Sequence, residues 1–181
     1  MFIDRTKHGK CGATLVEVIV GTGVAGICIA IITMFGMFAM RSFTAMANYS
    51  DLETQSRNAL DRMTMDVRQT YGLIANTDNE LDFEDAPDHQ TLKFIYDPSA
   101  QTLTRIKSGQ YTKLLDHCTA LRFDLFQRNT SNATYNQYPI TSNAALCKVV
   151  QVTWTCERAL YGSKLFNTEV VQTAKIVIRK K

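Results

Sequence analysis

A long apolar run near the N-terminus constrains this chain more than any other feature. Between Cys11 and Met40 the sole charged residue is Glu17, and all other residues are apolar, small or hydroxyl-bearing. About 20 apolar residues suffice to cross the hydrocarbon core of a bilayer. The run predicts a membrane-spanning helix over residues 13–40, because it is longer than a secretory signal or a soluble core helix requires.

The charges that flank the run predict its orientation. Arg5, Lys7 and Lys10 precede the run, and Arg41 follows it. Basic residues in a short flanking segment favour the cytoplasmic side of a membrane. We therefore expect a single-pass protein whose short N-terminal segment stays in the cytoplasm and whose residues 41–181 lie on the other side.

Glu17 is the exception within the run, and it leads to a resemblance. A carboxylate inside a membrane costs on the order of 3 kcal/mol, so such residues usually have a function. The stretch from Gly12 to Glu17, Gly-Ala-Thr-Leu-Val-Glu, follows a short basic leader and opens the apolar run. This arrangement resembles the processing site of type IV prepilins and type II secretion pseudopilins. The family most often has Phe at the position of Ala13.

The resemblance implies a maturation and assembly mechanism. A prepilin peptidase in the bacterial inner membrane would remove residues 1–12 by cutting between Gly12 and Ala13, and would methylate the new amine. The Glu17 carboxylate would pair with the N-terminus of a neighbouring subunit in a pilus or pseudopilus. Residues 13–40 would form the transmembrane or filament-core helix, and residues 41–181 a head in the periplasm. The same resemblance fits a subunit of a secretion system, of a retractile pilus or of a DNA-uptake system. It fits a position at the tip of the filament as well as one along the shaft.

Two other classes of protein compete with this interpretation. In the first, an uncleaved single-pass anchor carries a binding module, and Glu17 extends to the membrane interface. In the second, the head is a membrane-tethered enzyme. The sequence contains no motif for catalysis or for a cofactor. His117 stands beside Cys118, but adjacent strand residues point to opposite faces. We expect neither enzymatic activity nor a cofactor.

The remainder of the chain predicts an α+β head. Apolar residues recur at helical spacing through the second half of the helix, which should bury one face against a sheet and stop at Gly72. They are Leu52, Leu60, Met63, Val67 and Tyr71. Charged residues, Asp66 among them, stand between these apolar positions. The long helix and the mostly antiparallel sheet resemble pilins, and the strand order resembles J-type minor pseudopilins and large minor pilins.

Alternating apolar residues predict the strands of the sheet. The predicted strands cover residues 91–97, 102–106, 119–127, 148–157 and 170–178, with a turn at Asp97-Pro98-Ser99 and a long polar loop over 128–146. The acidic stretch 78–88 predicts a short edge strand and a loop. Its clustered carboxylates are also the type of ligand that binds calcium. The spacing matches no EF-hand loop, however, and we predict no metal.

The cysteines and the overall charge bear on compartment and partners. Five cysteines are present: Cys11, Cys28, Cys118, Cys147 and Cys156. The last three fall in the exported part, where disulfides can form. If strands 119–127 and 148–157 pair antiparallel, Cys118 lies near Cys156. The three cysteines then contain either one disulfide, between Cys118 and Cys156, or three thiols. Without residues 1–12 the chain has 17 basic and 16 acidic residues, so net charge does not indicate a nucleic-acid surface.

Overall fold

A computed structural model describes residues 14–85, 91–128, 137–140, 143–159 and 166–179. The helix α1 runs from Leu15 to Gln69. The chain divides into two compact units, and the boundary falls inside α1 between Phe43 and Thr44. Residues 44–69 belong to the unit that also contains all the described strands, and this part of the helix packs on them.

One face of the second half of α1 is buried, as the helical spacing predicts. Leu52, Met63 and Val67 are at most 1% exposed, whereas Tyr71 is 36% exposed. The buried face also carries Ser56, Ala59 and Asp66. Asp66 is buried on this face although it is charged, because basic side chains of a strand meet its carboxylate under the helix.

The helix ends before the predicted stop at Gly72. The Thr70 N–H and hydroxyl both donate to the Val67 carbonyl, at 3.3 and 2.8 Å. The Tyr71 N–H then donates to the Glu84 carbonyl at 2.9 Å. This hydrogen bond already extends the backbone pairing of a β-sheet. Gly72 is the first residue of strand β1. A threonine side chain that competes for a backbone carbonyl, followed by a sheet hydrogen bond, ends the helix without a glycine cap.

Within the described residues, a first sheet of five antiparallel strands follows in the spatial order β1-β2-β3-β4-β5. The strands are β1 Gly72–Asn76, β2 Glu80–Glu84, β3 Thr91–Asp97, β4 Thr102–Lys107 and β5 Gln110–Leu115. The β3–β4 connection begins at the predicted turn, where Asp97 Oδ1 accepts from Ser99 and Ala100 N–H at 2.8 and 3.2 Å. The predicted hairpin of β3 and β4 is confirmed.

Two strands of the first sheet were not predicted, and they change the position of β2. Because β1 pairs with β2, the acidic strand lies inside the sheet and is not an edge strand. Strand β5 pairs with β4 through a two-residue turn in which Ser108 and Gly109 have φ angles of 52° and 76°. Both angles are left-handed, as a type I′ hairpin turn requires. The Ser-Gly pair was therefore a usable signal for β5.

A second antiparallel sheet has the order β7-β6-β8-β9 among the described residues. Its strands are β6 Cys118–Gln127, β7 Tyr138–Pro139, β8 Val149–Ala159 and β9 Phe166–Val177. Strand β9 begins four residues before the predicted start. The predicted long loop contains β7 and a short 3-10 helix, Ala144–Leu146, while 129–136 and 141–142 lie outside the described residues.

Both sheets contribute to one core beneath the helix. Alternating residues of β8, Val150, Val152 and Trp154, are at most 1% exposed. The Trp154 indole N–H donates to Ser56 Oγ at 3.1 Å, and both side chains are buried. A buried indole requires such an acceptor. This hydrogen bond connects α1 to the second sheet at one residue pair.

A buried ion pair connects the same helix to the first sheet. Arg105 donates to Asp66 from Nε at 2.6 Å and from Nη2 at 3.1 Å, and both side chains are 7% exposed. Lys107 Nζ lies 3.6 Å from Asp66 and 2.7 Å from Asp85. Strand alternation places Arg105 and Lys107 on the face that also carries buried Leu103. The first sheet therefore places two cations, Arg105 and Lys107, against the buried face of the helix. At that point the helix carries Asp66 in place of an apolar residue.

Candidate membrane and assembly site

Thr14 caps the first turn of α1. The Glu17 N–H donates to Thr14 Oγ1 at 3.3 Å, and the Val18 N–H donates to the Thr14 carbonyl at 3.1 Å. Threonine with glutamate three residues later is the spacing of a capping box. A negative charge in the first turn also interacts favourably with the helix dipole. The Thr-x-x-Glu spacing is a signal in the sequence from which this cap was predictable.

The helix surface that follows the cap is apolar and exposed. Every large apolar side chain from Leu15 to Phe43 is more than half exposed, and Phe35 reaches 72%. By length and composition α1 is able to cross a membrane. A continuous exposed apolar surface of this size marks contact with a membrane or with other protein. The N-terminal half of α1 is therefore consistent with membrane anchoring or with assembly.

Two threonine hydroxyls on this surface are satisfied within the helix. Thr22 Oγ1 donates to the carbonyls of Val18 and Ile19, both at 3.0 Å. Thr33 Oγ1 donates to the Ile29 carbonyl at 2.8 Å. In a hydrocarbon environment every polar group has to find its partner inside the protein. These two hydroxyls therefore suit a helix surrounded by lipid or by apolar side chains.

Four glycines leave room for another chain along the same surface. They are Gly21, Gly23, Gly26 and Gly36, and a methyl group placed on any of them would meet no atom within 4 Å. Small residues let neighbouring membrane helices approach closely. The N-terminal half of α1 thus offers several positions for close helix packing.

The predicted processing and assembly residues fall in and just before the first turn of α1. Gly12 and Ala13 lie outside the described residues. Glu17 is exposed, and no described residue contacts its carboxylate. The first turn therefore presents a carboxylate on an otherwise apolar surface, where a cation of another molecule can reach it.

Two carboxylates of the acidic stretch share a lysine partner. Lys93 Nζ lies 2.7 Å from Asp82 and 3.0 Å from Glu80. The hydrogen bond to Asp82, and then that to Glu80, raises the pKa of Lys93. In the described ranges, no three His, Cys, Asp or Glu side chains are grouped to hold a metal ion. Residues 86–88 of the stretch lie outside the described residues.

The two predicted disulfide residues lie side by side. Cys118 and Cys156 are register partners in β6 and β8, so the predicted proximity is confirmed. The described cysteines are thiols in this structure, and the bridge itself stays a prediction. His117 is exposed with a φ of 55°, whereas Cys118 is buried. The imidazole and the thiol therefore face different surroundings.

No protein-family model and no curated protein matches this sequence. The class is accordingly defined by the architecture. One long N-terminal helix has an exposed apolar first half, and its second half packs on antiparallel sheets. This is an α+β, pilin-like architecture.

Proposed function

We propose that this chain is a minor pilin or pseudopilin subunit that is cleaved after Gly12 and joins a filament through α1. The observation that carries the proposal is the start of α1, where a capped turn bearing Glu17 opens an exposed apolar surface. An anchor of a binding module needs only the apolar surface. A subunit that docks by its N-terminus also needs the carboxylate.

The position of the cap supports cleavage between Gly12 and Ala13. After that cut only Ala13 would precede Thr14, the capping residue of the helix. The mature chain would then begin almost directly with a helix that needs no leader residue for its first turn. An amine at this end is a suitable cation for Glu17 of a neighbouring subunit, because an opposite charge relieves the cost of a carboxylate in apolar surroundings.

The rest of the proposal follows from the resemblance and the flanking charges. Prepilin peptidase and other pilin or pseudopilin subunits would be the partners, and the inner membrane would hold the helix before assembly. The head would lie in the periplasm. We propose a structural role without enzymatic activity and without nucleic-acid binding, in a type II secretion pseudopilus or a type IV pilus.

The proposal is tested first by the mature N-terminus. We expect the chain purified from membranes to begin at Met1 without prepilin peptidase, and at free or methylated Ala13 when the peptidase is co-expressed. Intact mass and N-terminal sequencing distinguish these forms, and a known prepilin in the same cells reports that the peptidase is active. A chain that still begins at Met1 would indicate the uncleaved membrane-anchored binding module.

Glu17→Gln should impair assembly while leaving cleavage unchanged. The substitution keeps the size of the side chain and removes the charge that would pair with the neighbouring amine. Loss of a charge pair in apolar surroundings corresponds to at least about tenfold weaker association. The measurement is the fraction of mature chain in sheared filaments. Asp61→Asn, an exposed residue of the same helix, is the control, and equal incorporation of the two variants would contradict the assembly role.

A further inference from the structure

Two cysteines of the second sheet form a buried pair. Cys118 is the first residue of β6, and Cys156 is its register partner in β8. Their exposures are 0% and 1%. Side chains of directly opposed residues in antiparallel strands lie on the same face of the sheet. The two sulfur atoms therefore face each other inside the core.

The backbone around the pair has the spacing that a disulfide needs. The Glu157 N–H donates to the His117 carbonyl at 2.9 Å, one residue after Cys156 in β8 and one residue before Cys118. The cysteines thus occupy a non-hydrogen-bonded position, where opposed Cα atoms are about 4.5 Å apart in a regular sheet. The pairing register becomes irregular only after Cys118, between Cys118 and Ala120. Disulfides join Cα atoms separated by about 4.4–6.8 Å, so the position of the pair suits a bridge.

The position of Cys118 is held from the first sheet. Its N–H donates to the Gln101 carbonyl at 2.9 Å, and its carbonyl accepts from the Tyr96 hydroxyl at 3.0 Å. Burial first, and then the nearby cysteines, raise the pKa of Tyr96, so this hydroxyl keeps its proton. The strand start is therefore fixed opposite Cys156.

The two thiols interact with each other in the folded head. The hydrogen bond between them, followed by burial, raises the pKa of Cys118, and the same hydrogen bond lowers the pKa of Cys156. The Cys118 thiol also lies 3.3 Å from the Ala120 carbonyl. These contacts agree with the register in placing the two sulfurs next to each other.

Cys147 is not in a position to compete. From Val149 to Cys156 the chain is one extended strand, β8, and those seven steps span about 23 Å. Cys118 lies opposite Cys156, so Cys147 is too far from both for a bridge. Its thiol donates instead to the Val149 carbonyl at 3.6 Å.

We propose that Cys118 and Cys156 are oxidised to a disulfide between β6 and β8 and that Cys147 stays a thiol. The oxidant is a protein of the thiol–disulfide oxidoreductase class. The thiolate of one of the two cysteines attacks one sulfur of the oxidant's disulfide and releases the other oxidant sulfur as a thiolate. The second cysteine gives its proton to that thiolate and attacks the sulfur of the first cysteine. This releases the remaining oxidant sulfur, which takes up from solvent the proton that the first cysteine lost. The two cysteines lose two electrons and two protons, and the oxidant becomes a dithiol.

Because both sulfurs are buried in the folded head, we expect them to be oxidised before folding is complete. A protein oxidant reaches them only before β6 and β8 close, so the bridge forms while the head folds in an oxidising compartment. Only this supply of oxidant rests on the proposed export of the head. Once folded, the core shields the bridge from reductants. The bridge encloses residues 119–155, and we expect it to raise the melting temperature of the head by about 10 °C.

Peptide mapping of the native full chain tests the bridge without any substitution. The chain is extracted from membranes under acid, its thiols are blocked with iodoacetamide, and it is digested with trypsin. The three cysteines fall in separate peptides, 114–122, 129–148 and 149–158. We expect 114–122 linked to 149–158, and Cys147 blocked. Blocked Cys118 and Cys156, or a link that includes Cys147, would overturn the proposal.

A matched set of variants measures the effect of the bridge. Cys118→Ala/Cys156→Ala should lower the melting temperature by about 10 °C relative to the oxidised chain, whereas Cys147→Ala loses a buried sulfur without a bridge and should lower it far less. Equal falls would overturn the proposed stabilisation. The N-terminus is read from the same sample: a bridged chain beginning at Met1 beside an active peptidase contradicts only the proposed function, and an unbridged chain beginning at Ala13 contradicts only the bridge.

Discussion

Asp66→Asn should lower the free energy of unfolding by about 3–5 kcal/mol. The substitution removes the carboxylate that receives two hydrogen bonds from Arg105, at 2.6 and 3.1 Å. The guanidinium would remain 93% buried, since its side chain is 7% exposed, and it would lack a counter-charge. An uncompensated buried charge costs more than the loss of the pair itself, because it keeps its desolvation penalty.

Urea unfolding of the detergent-solubilised chain measures this effect. The protein has one tryptophan, and Trp154 is 1% exposed, so its fluorescence reports the head alone. Asp61→Asn makes the same chemical change at an exposed position of the same helix, and we expect it to shift stability by less than about 0.5 kcal/mol. If both variants lost the same stability, the Asp66–Arg105 pair would not connect the helix to the first sheet as described.

Gly12→Val should abolish processing. Glycine is used where a backbone must approach a binding partner closely, and the resemblance implies that a peptidase binds this residue at the bond it cuts. A branched side chain there would collide with the cleft. A clash of about 3 kcal/mol in the transition state is enough to slow cleavage about a hundredfold. The measurement is the ratio of mature to full-length chain, by intact mass, when the peptidase is co-expressed.

Gly9→Val is the matched control, because it places the same side chain in the same leader three residues earlier. We expect this variant to be cleaved like the unchanged chain. Normal processing of Gly12→Val would refute the assigned cleavage site, and with it the proposed maturation. Failure of both variants would show that the leader is unable to accept valine at all, which would also remove the support for a specific role of Gly12.

The local elements of this protein were predictable because their signals lie within a few residues of each other. The apolar run predicted the first half of α1, and the spacing of Leu52, Met63 and Val67 predicted the buried face of the second half. Alternation predicted β3 and β8. Hydrophobic periodicity is a property of the chain itself and survives in any tertiary arrangement that buries one face.

Two features were not predicted, and they depend on what pairs with a residue or a strand. Asp66 reads as a surface residue of an amphipathic helix, and it is buried because Arg105 lies 39 residues later and meets it. Strand β2 reads as an edge, and it is internal because β1, which directly precedes it in the chain, pairs with its free side. The residues around Asp66 carry no signal of Arg105, and β1 was missed because its own strand pattern is short.

The candidate sites divide in the same way. The sequence alone determined the apolar surface, the position of Glu17 and the processing motif, since all of these are local. Only the tertiary structure decided that β6 and β8 pair, which is the condition for Cys118 to meet Cys156, and that Ser56 and Asp66 connect one helix to two sheets. The physical reason is that pairing energies between distant residues depend on the register and packing of whole strands, which short-range patterns do not specify.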